Sequence, residues 1–282
     1  MSSFYMLFGS SNRRKRSRFC SILLFTVIYS FRSTKISELS ANVISSFTTL
    51  ISSRSLSPDL IAKILAMSVG ALWTVEFASP AAPQPSIDSN SLDVEPSMGT
   101  MIMPHILGLL RALSKIGISQ VKEAMSTVKR DHASGVIDSL AIFITATFRR
   151  TLPALHIGST WLKTHVESLQ CRFDLSTSEV GEDSLRQFWS SYSAFIWHIS
   201  RVFPLEKLPD RPVVLEEDVE FRGFMPLESS PSKEKMASTD TIADESAVHP
   251  NEEHLMRIRI MLLDARYLAS FDVSRINVSL SI

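Results

Sequence analysis

Apolar residues recur every three or four positions along most of this chain, which is the spacing that lines one face of an α-helix. The stripes include Ile36-Leu39-Val43-Phe47-Leu50, Leu60-Ile61-Ile64-Leu65-Leu72, Ile106-Leu107-Leu110-Leu113, Leu185-Phe188-Trp189-Tyr192-Phe195-Ile196-Ile199 and Leu255-Ile258-Leu262-Leu268. No stretch of the sequence shows a convincing period-2 alternation or a βαβ alternation. The pattern predicts an all-α fold of stacked antiparallel helical hairpins, which form a solenoid-like array.

Caps and breakers set the expected limits of several helices. Ser57 is predicted to cap a helix that has Pro58 at its first position. A later helix is expected to resume near Pro104 and to end at Gly117, because glycine commonly follows the last turn of a helix. The segment from Gln120 to Arg130 is then expected to form a short companion helix.

Two stretches between helices are rich in Pro, Ser, Asp and Glu, at about residues 78–103 and 229–251. They hold too little apolar surface to stay ordered alone, so we expect two long, mobile, disordered insertions. Residues 1–18 are basic and are predicted to be a disordered N-terminus, and residues 19–282 to be one helical-hairpin domain.

The apolar run from Phe19 to Phe31 follows five basic residues, which resembles the start of a signal peptide. The run is shorter than the roughly 20 residues that a membrane-spanning helix needs, and no cleavage site of small residues follows it. We expect a core helix here and no membrane partner. A secreted or membrane-anchored helical protein is the alternative interpretation.

Composition and motifs argue against catalysis. The formal net charge of +0 argues against binding nucleic acid through bulk charge, although a local basic patch is compatible with it. The sequence has no nucleophile elbow and no glycine-rich phosphate loop. His249 and His254 come nearest to metal-ligand spacing, but Pro250 and the flanking loop make this a poor site. We therefore expect no enzyme, no metal and no cofactor.

Two sets of residues could serve nucleic-acid binding. Basic residues on consecutive helical turns could contact phosphates, and the alternative is a solvated helix face. They are Arg111, Lys115, Lys122, Lys129 and Arg130. The four tryptophans could stack on bases, and the alternative is that they belong to the core. They are Trp73, Trp161, Trp189 and Trp197.

The stretch VVLEEDVEFRGFMPLE, residues 213–228, is called the connector below, because it joins the Trp189 helix to the second insertion. It resembles a signature of the family of the Smg proteins of nonsense-mediated mRNA decay and the ever-shorter-telomeres proteins, which runs roughly Leu-Pro-x-Asp-x-x-Leu-Arg-Gly-Phe-x-Pro-Leu. The matching positions are Asp218, Arg222, Gly223, Phe224, Pro226 and Leu227. Phe221 stands where an aliphatic residue is more usual.

The resemblance implies a non-enzymatic scaffold or adaptor fragment that acts in nonsense-mediated mRNA decay or telomere maintenance, in the nucleus and cytoplasm. Its implied partners are proteins of the mRNA-decay or telomerase machinery. A direct single-stranded nucleic-acid-binding helical module, with RNA or single-stranded DNA as partner, is the alternative. The N-terminal phosphopeptide-binding domain of the family is expected to be missing from this chain.

We expect the connector to be structural. Phe224 and Leu227 are predicted to dock between the Trp189 helix and the last helix, and Gly223 to adopt a backbone conformation that disfavours a Cβ atom. Arg222 is predicted to pair with a nearby acidic group, of which Asp218 is the local candidate. The acidic run Glu216-Glu217-Asp218 could in principle bind a metal, but it is interpreted as a solvated face.

Overall fold

The computed structural model describes residues 33–77, 98–131, 140–175, 179–210, 214–227 and 249–271. Within these residues the chain is all-α and contains no strand, as the periodicity predicts. The α-helices are α1 (Ser33–Ser52), α2 (Pro58–Phe77), α3 (Met98–Asp131), α4 (Ala146–Leu175), α5 (Glu179–Val202), α6 (Glu216–Glu220) and α7 (Pro250–Ser270). Short 3-10 helices span Leu140–Phe143 and Leu205–Lys207.

The long helices form two layers. In one layer α1 packs against α3, and α3 packs against α5. In the other layer α2 packs against α4, and α4 packs against α7. Contacts of α2 and α4 with α3, and of α5 with α7, join the layers. This packing of helices agrees with the predicted all-α fold, whereas the stacking of antiparallel hairpins into a solenoid-like array stays a prediction.

The core lies between the layers and is filled by side chains from the predicted stripes. Phe47, Ile64, Leu107, Phe148 and Phe195 are among the side chains with almost no exposed surface. Two helical stretches, 58–75 and 101–127, are long and apolar enough to cross a membrane, but more than half of each is buried inside the protein. A buried core helix that packs against its neighbours passes the same test of length and composition.

The predicted start of α2 is confirmed. Ser57 Oγ accepts a hydrogen bond of 3.3 Å from the backbone N–H of Leu60, which satisfies one of the free donors at the helix start. Arg150 of α4 donates hydrogen bonds of 3.0 Å to the backbone oxygens of Arg54 and Leu56. These two hydrogen bonds hold the turn between α1 and α2 against α4.

The predicted break in the third helix is wrong. The helix α3 begins at Met98, runs through Pro104 and Gly117, and continues to Asp131 without a separate companion helix. Gly117 serves packing instead, since a Cβ atom there would lie 2.5 Å from the Phe195 ring of α5. A single glycine costs a helix only about 1 kcal/mol, which the contact between α3 and α5 offsets.

The limits of the two predicted insertions change at their C-terminal ends. Residues 98–103 belong to α3, and residues 250 and 251 belong to α7. The rest of both insertions lies outside the described residues, and so do the basic N-terminus and the predicted helix at 19–31.

Candidate nucleic-acid interface

A basic stripe runs along the solvent-facing side of α3. Arg111, Lys115 and Lys122 are separated by four and seven residues, which correspond to about one and two helical turns. Lys115 and Lys122 are exposed, whereas Arg111 is half-buried and its Nε has no hydrogen-bond partner within the described residues. Lys129 and Arg130 lie in the last turn of α3, but their side chains lie outside the described part of the chain.

The neighbouring helix α5 adds an aromatic and cationic cluster next to this stripe. The guanidinium of Arg201 lies 4.7 Å from the centre of the Trp197 ring, in a cation–π arrangement. The rings of Trp197 and His198 meet edge to face at 4.7 Å. Because Arg201 follows Trp197 by four residues, the two side chains lie on adjacent turns of one helix face.

His198 links the two helices electrostatically. Partial burial and the nearby positive charges of Lys122 and Arg201 all lower the pKa of the imidazole. The cations of α3 and α5 are therefore close enough to repel a proton on His198. Lys122, Trp197, His198 and Arg201 are called the α3–α5 cluster below. A negatively charged ligand would be attracted to this place, because phosphate would relieve the repulsion among its cations.

The four tryptophans differ in exposure, and Trp73 is half-buried. Trp161 and Trp189 are 1% and 2% exposed, which confirms the core interpretation for them. Trp197 is 42% exposed, and its ring lies beside the His198 ring and the Arg201 guanidinium. Among these three tryptophans, a base could reach only Trp197.

The connector forms α6 and carries a buried charge that sequence reasoning missed. Glu217 is 4% exposed, and its carboxylate accepts hydrogen bonds of 2.8 and 2.7 Å from Nε and Nη2 of Arg257 in α7. Nδ1 of His156 in α4 lies 3.0 Å from the same carboxylate. Burial alone would raise the pKa of Glu217, but the hydrogen bonds from Arg257 and His156 outweigh burial and lower this pKa to about 2. The prediction that Glu217 belongs to a solvated face is therefore wrong.

The other charged residues of the connector have local roles. The backbone N–H of Leu215 donates to Asp218 Oδ2 at 3.3 Å, which caps the start of α6. Glu220 forms an ion pair of 2.6 Å with Lys63 of α2. Arg222 is exposed, and no ion pair joins it to Asp218 in the described structure, so the predicted pair between them is wrong.

The Arg-Gly-Phe turn of the connector has the predicted backbone. Gly223 has φ of 79°, which is the left-handed region that favours glycine. The backbone N–H of Phe224 donates to the Phe221 oxygen at 2.9 Å, closing a turn with Gly223 at its third position. No neighbouring atom would meet a Cβ atom at Gly223, so the constraint comes from the backbone alone.

The phenylalanine, proline and leucine side chains at the end of the connector are buried to different extents. Phe221 and Pro226 are buried, whereas Phe224 and Leu227 are partly buried and pack against the core. The polar anchors of the connector lie on α2, α4 and α7. The predicted docking of Phe224 and Leu227 between α5 and α7 stays a prediction.

The described residues contain no group of His, Cys, Asp and Glu side chains that could hold a metal ion. His249 Nδ1 accepts a hydrogen bond from the backbone N–H of Asn251, at 3.2 Å. His254 Nδ1 lies 3.2 Å from Nη1 of Arg257, which donates to it. Both rings therefore accept hydrogen bonds from residues in the first turns of α7.

Sequence patterns alone could have found part of this geometry. His198 and Arg201 follow Trp197 by one and four residues, so the local part of the cluster is visible on one helix. The position of His198 near Lys122 is not visible in the sequence, because only the packing of α5 on α3 brings these two residues together. No local signal marks Glu217, whose partners lie on α4 and α7.

Comparisons with known proteins give a family. Neither the curated proteins nor the solved structures include a significant match. A family described as the Est1 DNA/RNA binding domain matches residues 4–231, which include α1 to α6 and the whole connector. Because this match covers most of the chain, the protein belongs to the Est1 DNA/RNA binding domain family, that of the ever-shorter-telomeres and Smg proteins.

Proposed function

We propose that this chain is a non-enzymatic adaptor module of the mRNA-decay or telomerase machinery and that it contacts RNA or single-stranded DNA through α3 and α5. The observation that carries the proposal is the α3–α5 cluster, in which the guanidinium of Arg201 lies 4.7 Å from the centre of the exposed Trp197 ring and the charge of Lys122 reaches the neighbouring His198. Membership of a DNA/RNA binding family supports a nucleic-acid ligand.

The charge distribution supports a local contact with phosphates. The chain has 29 basic and 29 acidic residues, so its bulk charge does not attract nucleic acid. The exposed side of α3 nevertheless carries Lys115 and Lys122, and the charges of Lys122 and of Arg201 in α5 both reach His198. Such a small cationic surface matches a short stretch of backbone, and it predicts modest affinity with a clear dependence on salt.

The two-layer fold supports the adaptor part of the proposal. Stacked helical hairpins present extended surfaces on both layers, which suits simultaneous binding of several partners. The α3–α5 cluster occupies the layer of α1, α3 and α5, and the layer of α2, α4 and α7 stays available for protein partners. In this proposal the chain positions RNA or DNA and does not cleave it.

The test is fluorescence anisotropy with a labelled single-stranded oligonucleotide at several salt concentrations. Lys122→Glu and Arg201→Glu should each weaken binding and lower the steepness of the salt dependence, since a lost phosphate contact reduces the slope by about 0.7 for a single strand. Arg266→Glu is the matched control, because Arg266 is also exposed but lies on α7 in the other layer. The proposed surface would be refuted if the affinity did not depend on salt concentration. It would also be refuted if Arg266→Glu weakened binding as much as Lys122→Glu and Arg201→Glu do.

The adaptor part is tested separately by pull-down from cell extract treated with nuclease. Proteins of the mRNA-decay or telomerase machinery should remain bound after the nucleic acid has been removed. If every partner is lost with nuclease treatment, the chain binds nucleic acid but does not serve as a protein adaptor.

A further inference from the structure

Trp197 is exposed although burial of its indole would be favourable. Burying a large aromatic side chain stabilises a fold, and Trp161 and Trp189 of the same chain are almost completely buried. Trp197 is outside the buried core and contacts the rings and charges of the α3–α5 cluster instead. An exposed indole held among cations has the composition of a binding surface for unpaired bases.

We propose that Trp197 is a base-stacking subsite, which takes the flat face of an unpaired nucleobase while Lys122 and Arg201 contact the phosphates that flank it. This inference rests on the proposed function and deepens it, because it concerns what the same surface recognises besides charge. Stacking on an indole tolerates every base, so the subsite gives little sequence preference.

The geometry around the indole supports this assignment. Arg201 lies over the ring at 4.7 Å, and the Trp197 and His198 rings meet edge to face, so the indole is oriented by its neighbours before any ligand arrives. A guanidinium can contact a phosphate and can also stack on a base. The cations that attract the strand and the ring that receives a base therefore lie at one place.

Stacking requires a base whose face is free. In a duplex both faces of an internal base are covered by its neighbours, and freeing a base requires unstacking it. An RNA or DNA strand with unpaired bases can offer a base to Trp197 without that cost. The subsite therefore predicts discrimination between a strand with bases and a strand that has the same phosphates but no bases.

The experiment uses the full chain and three probes of equal length: an oligothymidine, an abasic oligonucleotide with the same backbone, and a duplex. Affinities are measured by anisotropy for the wild type, Trp197→Ala and Trp197→Phe. We expect the wild type to bind the oligothymidine about 5- to 150-fold more tightly than the abasic strand, which is the usual range for one stacked base.

The variants then identify the ring responsible. Trp197→Ala should weaken oligothymidine binding to the level of the abasic strand and leave abasic binding unchanged, whereas Trp197→Phe should keep part of the preference. Tryptophan fluorescence should be quenched by the oligothymidine, and this quenching should be reduced in Trp197→Phe. Because Trp197 is exposed, both variants should fold, which thermal unfolding checks.

The outcomes separate this inference from the proposed function. Salt-dependent binding in which the wild type prefers none of the three probes would overturn the stacking subsite and leave phosphate binding intact. A base preference that Trp197→Ala retains would also overturn it. Absence of binding to all three probes would overturn both proposals, and loss of a protein partner alone in Trp197→Ala would assign this surface to protein docking.

Discussion

Replacement of Glu217 by glutamine tests whether the buried pair with Arg257 fixes the connector. The substitution keeps the shape of the side chain and removes its charge. Arg257 is 2% exposed and would keep only the carboxylate of Glu253, which is partly exposed and lies 3.5 Å from its Nη1, while His156 would lose its carboxylate acceptor. Removing one partner of a buried ion pair costs about 3–5 kcal/mol.

That cost is large compared with the stability of a domain, which is about 5–15 kcal/mol. For a protein of this size each kcal/mol shifts the melting temperature by about 2–4 °C, so Glu217→Gln should lower it by roughly 6–20 °C. Differential scanning fluorimetry or calorimetry measures this shift. Glu216→Gln is the matched control, because Glu216 is the exposed neighbour and a surface substitution of this kind changes stability by about 0.5 kcal/mol or less.

A double variant separates the pair from the position. Glu217→Leu combined with Arg257→Met removes both charges, and such replacements of buried pairs are often neutral or stabilising. The double variant should therefore be more stable than Glu217→Leu alone, in which Arg257 keeps its charge. The reasoning is refuted if Glu217→Gln has the melting temperature of the wild type. It is also refuted if the stability losses of Glu217→Leu alone and Arg257→Met alone simply add up in the double variant, because the two side chains would then not act as a pair.

Four other measurements test the connector, the last helix and the α3–α5 cluster. Because the pKa of Glu217 is lowered from 4.5 to about 2, its contribution to stability is complete above pH 4.5 and is lost as the pH falls towards 2, which urea unfolding at a series of pH values measures. Gly223→Ala should cost about 1–2 kcal/mol and Gly223→Asn less, since φ of 79° disfavours most side chains, as chemical denaturation will show. A chain cut after residue 231 should fail to unfold cooperatively in calorimetry, because it lacks α7 and the partner of Glu217. Protonation of His198 is opposed by Lys122 and Arg201 in the free chain, so oligonucleotide affinity should rise as the pH falls below 6.5 and should stop doing so in His198→Gln.

The fold follows from the sequence because each helix of a hairpin array is amphipathic by itself. The stripes on α1, α2, α3, α5 and α7 are sufficient to predict the all-α fold. The break at Gly117 is predicted wrongly because a glycine in a helix has two explanations, a terminus or a close approach. Only the position of the Phe195 ring distinguishes these explanations, and that position is a tertiary fact.

The candidate site is predictable only where its residues share a helix. Turn spacing by itself places Arg111, Lys115 and Lys122 on one face of α3. The meeting of Lys122 with His198 depends on how α5 packs against α3, which periodicity does not specify. Trp189 is buried and Trp197 is exposed although both lie in the same amphipathic helix. Only the packing of that helix against its neighbours decides which indole is covered, so the sequence does not distinguish them.

Glu216 and Glu217 show why an acidic run cannot be interpreted as a unit. Consecutive residues of a helix point about 100° apart, so one turn such as α6 places neighbouring carboxylates on different sides. Glu216 faces solvent, and Glu217 faces the inside, where Arg257 lies forty residues further along the chain. Arg257 lies beyond the residues that match the family, yet it supplies the charge that makes burial of Glu217 tolerable. We therefore expect the folding unit to extend past the family match to α7, and the connector to keep its position only when that helix is present.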